Sequence, residues 1–492
     1  MALAAFVSCS RDKSKFERVA ILPFENLTGD PALDWMSRVA SAVIAADLTG
    51  VPRVFASRVE SMRDAYLLNA TWVVHGSFTG RGTDLSYAVE IEDLSRRKML
   101  RSASIIAPGT NALDAAARQV DPAALPFPVT NLAALEAWGR NDAERAVSLE
   151  PDFGAAWLGA IEQHAAKGDR AGALELVQRA LARSTLRTPV DRARIELVGA
   201  ALRNDRDAER TALEALLKLV PADPQLLRAL ATAEMNARHF PLAAQLFRRL
   251  SQTDPGNGEP LNSLGYAELY AGNLDAARKA LEEYRASLET NALDSLGEVH
   301  FLAGKFADAE KYFLQAHEKD AAFHGGAGLL KAAHAHWLGG DLAGADAIHQ
   351  RYVKFRAGLH DPLVAWRQAV WLYSTGRHAE AEEKVKSAPT VASAQLAVWT
   401  GEPQGSGPYA LLLEKKFAEA AEGFKQIYES TPPGSDSQVR VLYAWALNEA
   451  GRKDDARALL TWWPLPGDGG NPLFESLIMP KFVELRKSLG VK

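Results

Sequence analysis

Residues 264–281 read LGYAELYAGNLDAARKAL, and residues 296–313 read LGEVHFLAGKFADAEKYF. Gly265 and Gly297 stand 32 residues apart. The turn inside this sentence recurs as AKGDRAGA (166–173), YAGNLDAA (270–277), LAGKFADA (302–309), LGGDLAGA (338–345), STGRHAEA (374–381) and EAGRKDDA (449–456). In each, a small residue follows the glycine by five: Ala173, Ala277, Ala309, Ala345, Ala381 and Ala456. Glycine ends a helix at low cost because it accepts φ > 0. The alanine lets the next helix cross the first closely. In ARHFPLAA (237–244) and EKKFAEAA (414–421), Arg238 and Lys415 replace the glycine, while Ala243 and Ala420 are retained. A repeat of this length is one helix–turn–helix that cannot bury its apolar face alone, so units must stack. The 492 residues therefore do not divide into ordinary globular domains.

The pattern resembles the tetratricopeptide repeat. The residues that carry the resemblance are Leu261, Leu264, Gly265, Ala277 and Leu281, then Leu293, Leu296, Gly297, Ala309, Phe313 and Ala316. Pro151, Pro221 and Pro255 stand where that family closes a unit. It covers about residues 131–463, some nine units. Residues 192–221 lack the glycine turn, and GEPQGSGP (401–408) interrupts a first helix. Residues 464–492 depart from the repeat and are expected to cap its exposed end.

Residues 16–107 follow another period. RVAILPF (18–24) and VPRVFAS (51–57) read as strands. ALDWMSRVASAVIAADL (32–48) reads as a helix, with Leu33, Met36, Val39, Val43 and Ile44 on one face and Asp30-Pro31 at its start. VESMRDAYLLNA reads as a second helix. TWVVHGSFT, DLSYAVEIEDL and RKMLRSASII read as three antiparallel strands. The order is β-α-β-α-β-β-β. ILPFENLTGDPALDWMS and the later VVHGSF resemble the TolB N-terminal-like domain, a small α/β domain that bacterial proteins join to tetratricopeptide repeats. His75 stands where that family usually has an aliphatic or acidic residue. The expected organisation is a short leading segment (1–15), the α/β domain (16–107), a linker with a short helix (108–130), the repeats (131–463) and a cap (464–492). The fold class is mostly α, with a small N-terminal α/β domain before a solenoid.

Net charge is −5 with both signs interspersed and no stretch is basic enough to track phosphates, so nucleic-acid binding is not expected. The single cysteine, Cys9, excludes an internal disulfide and a cysteine-based metal site. MALAAFVSCSRDKS resembles the lipobox of bacterial lipoproteins, which implies lipidation at Cys9 and a periplasmic, membrane-anchored protein. The apolar run is only eight residues and no Lys or Arg precedes it; a start codon placed too far downstream would explain both. The alternative is a cytoplasmic chain, the regulatory portion of a signalling or transcriptional system whose output domain is on another chain.

No G-x-x-x-x-G-K-[ST] and no G-x-G-x-x-G between a strand and a helix occurs. His334 and His336 are two apart, so on a helix they diverge and cannot clamp one ion. His164, His300 and His336 share one column of the repeat, a packing column. No enzyme activity, cofactor or metal is expected. The resemblance implies a protein- or peptide-binding scaffold whose groove is lined by the first helix of each pair. Carried onto this chain, the groove positions are Asn262, Tyr266, Tyr270, Asp294, Phe301, Leu330, His334, Trp337, Trp366, Tyr373, Trp445 and Asn448. Tyr and Trp there offer large contact area at low rotamer cost, and Asn can pair both groups of a peptide.

Overall fold

A computed structural model describes residues 16–81, 84–107, 110–129, 131–186, 188–253, 257–386, 407–466 and 472–491. Cys9 and most of GEPQGSGP lie outside them. The chain divides into two compact units: residues 1–233 with 252–256, and residues 234–251 with 257–492.

Unit 1 begins with a mixed sheet. Its strands are β1 (Glu17–Ile21), β2 (Glu25–Asn26), β3 (Val54–Arg58), β4 (Trp72–Arg81), β5 (Asp84–Asp93) and β6 (Lys98–Ile106). The order is β3-β1-β4-β5-β6, with β2 on β4. β1 is parallel to β3 and β4, whereas β4–β5 and β5–β6 are antiparallel. Helix α1 (Trp35–Asp47) buries Met36, Val39, Val43 and Ile44 against Ile21, Phe24, Val74 and Phe78. The entry to α1 differs from the sequence reading. Asp30 caps a short 3-10 turn over Pro31–Leu33, and the α-helix starts only at Trp35. The Asn26 amide holds the Asp30 carbonyl and the Asp34 carboxylate, which tightens that turn. The second helix is short, α2 (Met62–Leu67). The core does not stop at residue 107. Helix α3 (Asn111–Val120) packs on α1, and Phe127, Val129 and the first repeat helices extend the same core.

Ten helix pairs follow among the described residues. They are α4 (Leu132–Gly139) and α5 (Ala143–Leu149), α6 (Gly154–Ala166) and α7 (Arg170–Leu181), α8 (Pro189–Arg203) and α9 (Arg206–Leu219), then α10 (Pro224–Asn236) and α11 (Phe240–Thr253). Next come α12 (Glu259–Tyr270) and α13 (Leu274–Tyr284), α14 (Glu289–Leu302) and α15 (Phe306–Lys319), and α16 (Ala327–Leu338) and α17 (Leu342–Gly358). The last are α18 (Val364–Ser374) and α19 (His378–Lys386), α20 (Pro408–Leu413) and α21 (Phe417–Ser430), and α22 (Ser437–Glu449) and α23 (Lys453–Ala458). Within unit 2, α12 to α18 each pack on the next helix in sequence, the stacking of a tetratricopeptide-type solenoid. Helix α24 (Pro472–Leu489) ends the chain.

One device closes all ten pairs. A single residue in each turn has positive φ: Asn141, Gly168, Asn204, Arg238, Gly272, Gly304, Gly340, Gly376, Lys415 and Gly451. The N–H of the residue after it donates to the carbonyl five positions back, as from Asp169 to His164, Asn273 to Glu268 and Lys416 to Leu411. This is the Schellman closure, which satisfies the orphan carbonyls at a helix end. Arg238 and Lys415 do adopt the left-handed conformation, and Asn204 supplies the turn that residues 192–221 lacked in sequence. The alanines five positions after the turn, Ala173, Ala277, Ala309, Ala345, Ala381 and Ala456, are fully buried, as are Ala243 and Ala420. Gly265 and Gly297 serve close approach instead: a Cβ at Gly297 would lie 2.5 Å from the Phe313 ring.

Candidate functional site

The inner face of unit 2 is built from the first helices α12, α14, α16, α18 and α22. At its centre is a buried polar cluster. The Lys331 ammonium lies 2.8 Å from Asp294 and 2.6 Å from Glu298, and the Tyr266 hydroxyl donates to Glu298. Burial alone would drive Lys331 neutral, but Glu298 and Asp294 outweigh it and hold its pKa above the ordinary value. Burial pushes Asp294 upward despite the lysine. The cluster thus ties α12, α14 and α16 together through one buried cation.

Around it the face is aromatic. Tyr270 packs on Phe240, with ring centroids 5.1 Å apart. His334, Trp337 and His349 surround Trp371, and the His349 ring stacks on that indole at 4.6 Å. Burial depresses the His334 pKa to about 4 and that of His349 to about 3, so both rings are neutral.

This face is already occupied. Residues 462–466, Trp-Trp-Pro-Leu-Pro, leave α23 and cross it. The Trp462 ring meets Tyr270 edge-on at 6.0 Å. The Trp463 N–H donates to the Leu302 carbonyl at 3.0 Å, and its ring packs on Phe306 at 4.8 Å. The Leu465 N–H donates to the Ser437 hydroxyl. Pro464, Leu465 and Pro466 lie against Leu330, His334 and Trp371, leaving a cavity of about 50 Å³. Arg440, 5% exposed, donates to the carbonyls of Leu459 and Trp462 at 2.8 and 2.6 Å. Helix α24 packs on α18 and α22 behind this segment. The terminal segment was expected to cover the solenoid's end. Its helix α24 shares a core with the last pair, Phe482, Leu485 and Leu489 packing with Val441, Leu447 and Leu460, while residues 464–466 lie along the inner face.

The predicted groove residues therefore divide. Tyr270 touches the seated segment, and Leu330 and His334 line a cavity together with it. Tyr266 and Asp294 belong to the buried polar cluster. Phe301 and Trp366 are core residues, 0% and 4% exposed, and Phe301 faces Phe306 and Phe313 of the second helix α15 rather than the open side. Trp337 is half-buried beside Trp371, Tyr373 stacks on His378, and Lys481 of α24 lies over Trp445. Asn448 is half-buried and donates to Glu449. Asn262 keeps a buried Oδ1 without a hydrogen-bond partner among the described residues. Sequence reasoning missed Lys331, Trp371, Arg440 and the Trp462-Trp463 pair. Lys331 had a signal: a lone charge inside the apolar run LLKAAHAHW, on a first-helix face.

In the histidine column His300 packs, stacked on Tyr312, whereas His164 and His336 do more. His164 lies between Asp169 (2.7 Å) and Glu144 (2.9 Å), and His336 between Asp341 (3.0 Å) and Glu310 (2.8 Å). The aspartates also cap the second helices, at Gly172 and Gly344. Hydrogen bonds to these carboxylates raise both histidine pKa values. In unit 1, His75 faces Glu92 through Nε2 (3.1 Å) and Glu90 through Nδ1 (3.7 Å). His75, Glu90 and Glu92 each offer one ligand atom, and these atoms all lie within 4.8 Å of one another, a spacing that could hold a metal ion.

No family model and no curated protein matches the sequence. Solved structures do. MamA MSR-1 is 16% identical over 34% of this chain and 97% of its own, with a TM-score of 0.29. A tetratricopeptide repeat protein from Parabacteroides merdae is 13% identical over 60% of this chain and 99% of its own, at 0.34. A structure of Naa15/Naa10 bound to HypK-THB is 15% identical over 72% of this chain and 64% of its own, at 0.32. These are likenesses of fold alone.

Proposed function

We propose that the chain is a non-enzymatic scaffold whose tetratricopeptide-type inner face holds a protein or peptide partner. The observation that carries this reading is the seat of residues 462–466. Main-chain groups outside helix and strand are held there by Leu302, Ser437 and Arg440, and two indoles are received by aromatic side chains. Hydrogen bonding to main chain plus pockets for large side chains is how extended peptides are generally recognised. Among the described residues of this face, the buried Lys331 is paired with Asp294 and Glu298.

The scaffold is tethered to a bacterial membrane through a lipid on Cys9. The lipobox-like MALAAFVSCS supports this reading, and among the described residues no helix is long and apolar enough to cross a membrane. One acyl chain gives only reversible attachment, so stable anchoring calls for more than one chain. Palmitate labelling with membrane fractionation tests it: Cys9→Ser is expected to lose label and move to the soluble fraction. An unlabelled, soluble wild type refutes the tether and returns the cytoplasmic reading. For the scaffold itself, crosslinking and mass spectrometry from the native host are expected to recover a partner on wild type and less of it on Trp337→Ala. Equal recovery on both, with helicity by circular dichroism intact, refutes the groove.

A further inference from the structure

Residues 462–466, WWPLP, contact the inner face as a bound peptide would, and the preceding Leu459 offers its carbonyl to Arg440. We infer that this segment is a resident ligand held in cis, and that the external partner carries an extended peptide of the same chemistry: two adjacent aromatic residues followed by Pro-apolar-Pro. The inference rests on the reading of the inner face given under Proposed function and specifies what that face selects.

Three features define the selection. Arg440 and the Leu302 carbonyl address main-chain groups, which any sequence offers. The slots select side chains. Tyr270 receives the first indole, and Phe306 receives the second beside Gly304, where a Cβ would stand 2.9 Å from the Trp463 Nε1. Pro464 and Pro466 fix φ without needing donor partners, so the segment loses little freedom on docking. The fit is incomplete at Leu465, where the cavity against His334 and Trp371 leaves room for a larger apolar side chain.

A tethered ligand has an effective concentration on the order of mM. A free peptide of equal intrinsic affinity therefore competes poorly, and the face is closed until the segment is weakened or outcompeted. A partner with a bulkier side chain at the Leu465 position, filling the residual cavity, has the advantage.

The test uses the full chain and a fluorescein-labelled peptide of residues 459–467, followed by anisotropy. Trp462→Ala/Trp463→Ala is expected to bind the peptide at least ~10-fold more tightly than wild type, a gain of about 1.4 kcal/mol. Adding Arg440→Ala is expected to abolish the gain. Because Trp463 also packs on Phe482 of α24, Trp462→Ala alone is the second variant, removing only the indole over Tyr270. A helical variant that binds no better than wild type overturns the inference and leaves the segment a structural cap. Host capture that persists in that case leaves the scaffold reading standing. Peptide binding without any host partner leaves the self-ligand standing and sinks the scaffold.

Discussion

Arg238 and Lys415 occupy a backbone conformation that side chains with a Cβ resist, at φ 61° each. The two are not equivalent. The Arg238 guanidinium lies 3.9 Å from the Tyr428 ring centroid and 3.0 Å from Asp436, contacts that offset the strain. Lys415→Gly should relieve strain and raise stability by about 0.5–1 kcal/mol, whereas Arg238→Gly should lower it; chemical denaturation of both variants checks the contrast. Gly297→Ala runs the other way. The added methyl meets the enclosed Phe313 ring, so a loss of about 1–3 kcal/mol is expected, outweighing the better helix propensity of alanine.

Between elements, the pairing of α14 with α16 depends on Lys331. Lys331→Met keeps the volume but leaves Asp294 and Glu298 buried without their cation, so a loss of about 3–5 kcal/mol is expected. Adding Asp294→Asn should recover part of it, a non-additivity that a double-mutant cycle measures. How much of this was legible in sequence depends on range. The turns were legible because glycine and the alanine five positions on are local demands of one hairpin. Asn204 and Asn141 were not recognised as turns, since asparagine tolerates the left-handed region but also stands elsewhere. The groove columns were carried over from the resemblance, which could not separate Phe301, which faces α15, from Tyr270, which faces Trp462. What fills that side comes from Trp462, 192 residues beyond Tyr270, and no local pattern records it.

At the scale of the whole chain, the two units should answer pH in opposite directions. In unit 1, the buried Asp47 carboxyl faces Asp114, and burial followed by that neighbour raises its pKa from 3.8 to about 9. The folded unit keeps a proton that the unfolded chain releases, so this stability is full below about pH 4 and declines as pH rises to about 9. Asp47→Asn should match wild type near about pH 4 and exceed it near about pH 9 in thermal unfolding. In unit 2, burial followed by the neighbouring His334 holds His349 at about 3, against 6.5 unfolded. The folded unit refuses a proton that the unfolded chain accepts, so stability declines as pH falls from about 6.5 to about 3. His349→Phe keeps the stack on Trp371 and should flatten that acid limb. The crossing of residues 462–466 over α12 to α18 has one more consequence, for biosynthesis. The ribosome delivers these residues only after the helices they shield have emerged. Until then the nascent chain carries a bare aromatic trough, so the later arrival of residues 462–466, rather than any earlier step, ends the period in which a nascent unit 2 is most prone to stick to its neighbours.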